Sequence, residues 1–339
     1  FGLGWLRALT DARGLLEHAH HGVPRLGEGY TTDDNARALL YLSLLPEGAR
    51  DEGLVRTYLA FLLHMQKEDG RFRNGLTLDG RFEDEGEAED PTGRAVLALA
   101  AAQRLPPPYA GPAREALLRA LPALEGFTSL RGRAYALLGL LALPKEPFLE
   151  AAEALGEGLL RAFREAEPAW PYPGPLTYAN HRPVEALYAY GLAFRRQEAV
   201  ALARRALAFL KEHYFTPGEE GLFFDPVGNR FMARGRDKPL FDQQPIEAKC
   251  ALLAHLRFGE RVLAEVAFLW FHGRNRLRAP LVDAFGPMDG LTPHGPNQNR
   301  GAEALLAYLL AWQALVQGVF PQVDEGVALG RVFALGGRP

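Results

Sequence analysis

Six times along this chain a polar cluster opens a run of small apolar residues. The runs are TTDDNARALLYLSLL from Thr31, EDPTGRAVLALAAAQ from Glu89, LRGRAYALLGLLAL from Leu130, YANHRPVEALYAYGLAF from Tyr178, FDQQPIEAKCALLAHL from Phe241 and NQNRGAEALLAYLLAW from Asn297. With Asp34, Asp90, Arg131, His181, Asp242 and Asn297 as landmarks, the intervals are 56, 41, 50, 61 and 55 residues. Between them lie segments of helical period with charges spaced along them, near Leu3 to Leu9 and from Leu54, Ala113, Pro147, Glu198 and Gly259. Such two-helix repeats stack into an open solenoid or close into a ring. The inner type is rich in Ala, Gly and Leu on nearly all sides, which suits helices packed between an outer layer and a filled centre. Six pairs also match an (α/α)6 toroid. The expected fold is all-α, one toroid domain over residues 1–339.

Two stretches break the helical pattern. Gly70–Gly86 and Gly221–Gly235 are aromatic-rich and punctuated by Gly, Pro and Asn, and read as β-hairpins at the barrel mouth. In a ring the inner helices run parallel, so their polar N-termini meet at one end. One side chain suffices to cap a helix, because it satisfies one or two free N–H groups. The Thr31–Arg37 cluster holds more polar side chains than that, and the surplus is expected to face a common cavity.

The candidate catalytic residues are the carboxylates Asp33, Asp34, Glu89, Asp90 and Asp242. Arg37, Arg94, Asn35, Asn180, His181, Gln243 and Gln244 offer paired hydrogen bonds, as do Asn297 and Asn299, and Tyr30, Trp170 and Tyr178 offer ring faces. That mixture suits a sugar, whose C–H faces stack and whose hydroxyls donate and accept. Glu247 reads equally as structural or as substrate-facing, and if buried it needs a partner such as Arg37 or Arg94. Asp90, before Pro91, is placed to cap its helix. Helix N-termini lower the pKa of nearby acids, whereas a general acid needs its pKa raised. A carboxylate crowded by another is the way out, either Asp33 by Asp34 or Glu89 by Asp90.

Other classes are disfavoured. The net charge of −3 and scattered arginines point away from nucleic acid. No HExxH, CxxC or GxGxxG arrangement occurs. The trio His18, His20 and His21 is a weak metal candidate, and neither metal nor cofactor is expected. The acidic run EDEGEAED lacks EF-hand spacing. Cys250, the single cysteine, lies in an apolar helical run and fits a reducing compartment. With no bilayer-length apolar stretch and no signal peptide, a cytoplasmic protein is expected. The preference for Arg over Lys and the abundant Pro suggest a GC-rich, thermophilic source.

The segments GYTTDDNARAL, EDPTGRA, LTYANHRPVEAL, PVGNRFMARG, FDQQPIEA and NQNRGAEALLAYLLA resemble, in order and spacing, a family of bacterial (α/α)6 glycosidase-like proteins. Where that family usually has Ser-His and Asp-Asn, this chain has Pro91-Thr92 and Ala179-Asn180. The resemblance implies an oligosaccharide or glycan partner and proximity to glycosyltransferase systems. The leading expectation is a glycoside hydrolase with paired carboxylates. A histidine-dependent sugar epimerase or isomerase is the first alternative, and a non-catalytic glycan-binding module the second.

Overall fold

The computed structural model describes residues 2–83, 86 and 89–320. Among them the helices alternate between two layers. The outer layer is α1 (Gly2–Ala8), α3 (Glu52–Met65), α5 (Pro107–Leu124), α7 (Phe148–Arg164), α9 (Gln197–Tyr214) and α11 (Arg261–Leu269). The inner layer is α2 (Thr32–Leu44), α4 (Asp90–Ala101), α6 (Leu130–Leu140), α8 (His181–Ala193), α10 (Pro245–Arg257) and α12 (Ala302–Leu315). Each inner helix packs on the next, and α12 packs back on α2. The (α/α)6 ring is closed. Across the closing seam the buried Gln313 amide donates to the Tyr41 carbonyl at 3.0 Å.

Composition explains the two layers. Outer α7 buries one stripe, including Phe148, Ala152, Leu155, Leu159 and Phe163, whereas in α12 only Glu303 and Trp312 are not buried. Glycine lets inner helices approach closely. A Cβ on Gly93 would lie 2.6 Å from the Gly132 carbonyl oxygen, and one on Gly139 would lie 2.8 Å from the Leu97 Cα. No helix among the described residues is long and apolar enough to cross a membrane.

Three inner helices start later than their polar clusters. Helices α8, α10 and α12 begin at His181, Pro245 and Ala302, and the residues just before them form loops that shape the mouth. Asn297 ends a hairpin strand, Gly295–Asn297, paired with Gly290–Thr292. That hairpin and its neighbour, Val282–Asp283 with Gly286–Pro287, were not foreseen.

The first expected hairpin is present in shortened form and the second is displaced. In the first region the chain does turn back on itself, Leu76 bridging Phe82 about a turn at Thr77–Arg81, but Gly75–Leu76 also pairs with Tyr30–Thr31 and so lies against the entry to α2. The second hairpin lies upstream, Phe215–Gly218 with Gly221–Phe224. Phe224 is fully buried against Tyr214 and Phe215 and belongs to the core, so it lines no mouth. The acidic run falls partly outside the described residues.

Candidate active site

The six inner N-termini meet at one end of the ring. Asp90, the first residue of α4, accepts hydrogen bonds from Ser129 Oγ at 3.0 Å, Arg131 Nε at 3.2 Å and Tyr178 Oη at 2.7 Å, which joins the starts of α4, α6 and α8. Glu247 of α10 accepts the Ala179 N–H, just before α8, at 2.5 Å. The starts of α2, α10 and α12 share a cavity of about 220 Å³, lined by Thr31, Asp33, Asp34 and Arg37, by Pro245, and by Gly301, Glu303 and Ala304. Glu17, His18, Asn74 and Asp289 complete its walls.

The surplus at α2 is resolved residue by residue. Thr31 is the cap, its hydroxyl accepting the Asp34 N–H at 3.2 Å. Neither aspartate caps α2, and both line the cavity. Asp33 is partly exposed, its backbone N–H held by the Asn74 side chain at 3.2 Å. Arg94 Nε stands 3.2 Å from Asp33 Oδ1, an ion pair out of hydrogen-bond alignment that leaves both atoms unsatisfied. Arg94 itself is buried, with its guanidinium over the Tyr135 ring at 4.5 Å. Asp34 is buried and bonded to Arg37 at 2.8 Å. Burial, against the Arg37 charge, pushes its carboxyl up to about 6.

Three cavity acids escaped the sequence reading, Glu17 beside His18 among them. Glu303, in the first turn of α12, is paired with Arg37 at 3.4 Å and keeps a 45% exposed side chain. Asp289 stands in the hairpin region before α12. Its Oδ1 accepts the Gly301 N–H at 2.6 Å, and its own N–H is held by the Asn299 carbonyl at 2.8 Å. Burial raises its carboxyl above the usual range. Glu303 lies in the NQNRGAEALL segment, just past the asparagines that stood out there, whereas Asp289 lies in a stretch rich in Gly and Pro and carried no local signal.

Several expected site residues serve the scaffold instead. Glu89 accepts the N–H groups of Thr128 and Ser129, at 2.9 and 2.6 Å, and so holds the start of α6. Asp90 does not cap α4. Burial opposes its charge, but Tyr178, Arg131 and Arg94 hold its carboxyl below the usual range, so it stays ionised. Tyr30 is buried and bonded to Asp11, and Asn35 ties Thr31 to Leu15. Asn180 bonds Thr177 and Tyr214. Gln243 is fully buried between Asp225 and Trp270.

His181 is fully buried, 5.8 Å from His255 between ring centroids, and does not line the cavity. Trp170 packs on Phe209 in a separate groove. Asp242 is partly exposed at the loop before α10, tied through its backbone to Asn229, and Gln244 follows it without capping that helix. Neither lines the cavity. Asn297 and Asn299 shape the loop that holds Asp289, Asn297 Oδ1 accepting the Asn299 N–H at 3.1 Å.

At the same end of the ring Tyr178 lies under Arg131, whose guanidinium is 4.0 Å from its ring centroid. Glu247 is bound by the Ala179 N–H and Tyr214 rather than by Arg37 or Arg94, and its Oε2 is buried without a partner. Burial pushes its carboxyl up to about 7. Lys249 is also buried, and burial pushes its ammonium down to about 7. Among the described residues no group of three or more His, Cys, Asp or Glu side chains is arranged to hold a metal ion.

The closed (α/α)6 ring is shared with several solved structures. A D-mannose isomerase superposes with a TM-score of 0.69 at 10% identity, over 93% of this chain and 95% of that one. A cellobiose 2-epimerase from Spirochaeta thermophila gives 0.64 at 15% identity, over 93% and 92%. A GH76 α-mannanase from Bacteroides thetaiotaomicron gives 0.60 at 11%, over 98% and 95%. Likeness at these identities establishes the fold. No family model and no curated protein sequence matches the chain.

Proposed function

We propose that this chain is a carbohydrate-active enzyme, and specifically a glycoside hydrolase. The observation that carries the reading is the pairing, in one cavity, of two acids in different surroundings. Asp289 is a carboxyl that burial keeps protonated to higher pH, and Asp33 is a partly exposed carboxylate beside the Arg94 charge. Asp289 would protonate the departing glycosidic oxygen. Asp33 would activate water or stabilise the cationic sugar carbon, and Glu303 would bind hydroxyls. Asp289 accepts the Gly301 N–H at the start of α12, which lowers its carboxyl, but burial outweighs that lowering. The solved (α/α)6 structures, which include sugar isomerases and a mannanase, support the substrate class by analogy of fold.

The test separates the two acids. Asp289→Asn should lose turnover of oligosaccharides yet keep much of it on aryl glycosides with good leaving groups, which depart without protonation. Asp33→Asn should lose both. Equal losses on both substrate types in both variants would remove the assigned roles.

A second reading, a sugar epimerase, is favoured by one observation. His18 lines the cavity with Nε2 3.4 Å from Glu17, a histidine that could move a proton at a sugar carbon. An intact product with inverted configuration, lost in His18→Asn, would establish it.

A further inference from the structure

Trp170 was expected at the mouth and stands instead in a groove of about 670 Å³ on the outside of the ring, formed by the end of α7, residues 170–175 and Ala233–Arg234. The indole is fixed from two sides. Its N–H donates to the Gly174 carbonyl at 2.8 Å, and its ring meets Phe209 edge-on at 4.8 Å between centroids. Pro173 and Pro175 add apolar wall, while Glu167, ion-paired with Arg234, supplies donors and acceptors at the edge. An aromatic face held rigid beside paired polar groups loses little entropy when a ligand settles on it.

The groove is tied to the mouth by one short stretch of chain. Leu176 exchanges backbone hydrogen bonds with Met232 at 2.8 Å in both directions, which fixes the groove's two walls together. The next residue, Thr177, accepts from Arg131 at 2.8 Å, and Tyr178 donates to Asp90 at the inner-helix ends. The mouth cavity, at about 220 Å³, falls below the roughly 300–1,000 Å³ usual for ligand pockets and suits a single ring. The further residues of a longer substrate would extend beyond it.

We propose that the Trp170 groove is a distal subsite for further sugar residues of an oligosaccharide whose terminal ring enters the mouth. This rests on the carbohydrate reading of the mouth but not on the hydrolytic one. Trp170 would stack on a sugar face, and Glu167 and Arg234 would take hydroxyls.

The experiment is calorimetric titration of the intact protein and of Trp170→Ala with cello-oligosaccharides and α-1,6-linked manno-oligosaccharides of two and six residues, with melting temperature and hydrolysis recorded alongside. The expected result is that one hexasaccharide binds the native protein more tightly than its disaccharide, and that Trp170→Ala removes about fivefold to tenfold of that gain while disaccharide binding is unchanged. Trp170→Phe should retain most of it. An equal length dependence in native protein and Trp170→Ala overturns the subsite, as does absence of length dependence or of sugar binding in the native protein. Binding without hydrolysis would sink the hydrolase reading and leave the subsite standing. Hydrolysis without length dependence would do the reverse.

Discussion

Asp33 and Asp34 are neighbours in sequence with different surroundings: one is partly exposed beside a misaligned arginine, the other is buried in a direct ion pair. The sequence announced a surplus of polar groups at this helix start but could not apportion it, because the cap had several contenders and the winner, Thr31, depended on the strand it closes with Gly75. Glu247 shows what burial does even against the hydrogen bonds from Ala179 and Tyr214 that favour its charge. Its folded carboxyl titrates near 7 against an ordinary value of 4.5, so the folded state retains a proton that the unfolded chain releases between those values. The resulting contribution to stability is fully present below 4.5 and lost as pH rises through 7. Glu247→Gln keeps an oxygen for the Ala179 N–H and has no charge to bury. Denaturant titrations should find it equal to the native protein near pH 4 and more stable above pH 7, by up to roughly 3 kcal/mol. A variant less stable at high pH than at low pH, relative to the native protein, would mean that the carboxylate form is the favoured one.

At the scale of elements, the helical pairs were legible because periodicity and small-residue content survive any tertiary context, whereas the loops before α8, α10 and α12 were not. In those loops Pro245, the strand pairing at Asn297 and the long-range bonds of Gln243 decide where the helix begins. The two unforeseen hairpins before α12 carry few β-branched residues and are held by backbone pairing and by Arg300, which grips Asp283 through two bonds of 2.8 Å. Asp289 therefore stayed hidden although it stands among the cavity acids. Glu89 marks the opposite error, a polar residue whose work is to hold the next helix. Glu89→Ala should cost about 1–2 kcal/mol of stability, the usual worth of a lost cap, and leave turnover per folded molecule unchanged. Loss of turnover at full thermal stability would return Glu89 to the catalytic set.

On the scale of the whole molecule, the sixfold count predicted both closure and the shared end of the inner helices, because a closed ring of parallel helices leaves their N-termini nowhere else to go. The outer groove at Trp170 could not be read that way. Sequence order places Trp170 near the mouth cluster at Tyr178, and only the packing on Phe209 of α9 shows that it faces outward. The central claim is that the ring's mouth splits a glycosidic bond with Asp33 and Asp289. Its most direct test is mass spectrometry of oligosaccharide digests in ¹⁸O-labelled water. The account predicts shorter products carrying one heavy oxygen at the newly freed anomeric carbon, formed by the native protein and not by Asp33→Asn. Products of unchanged length without heavy oxygen, and with deuterium at a sugar carbon in a parallel digest in deuterated water, would contradict it.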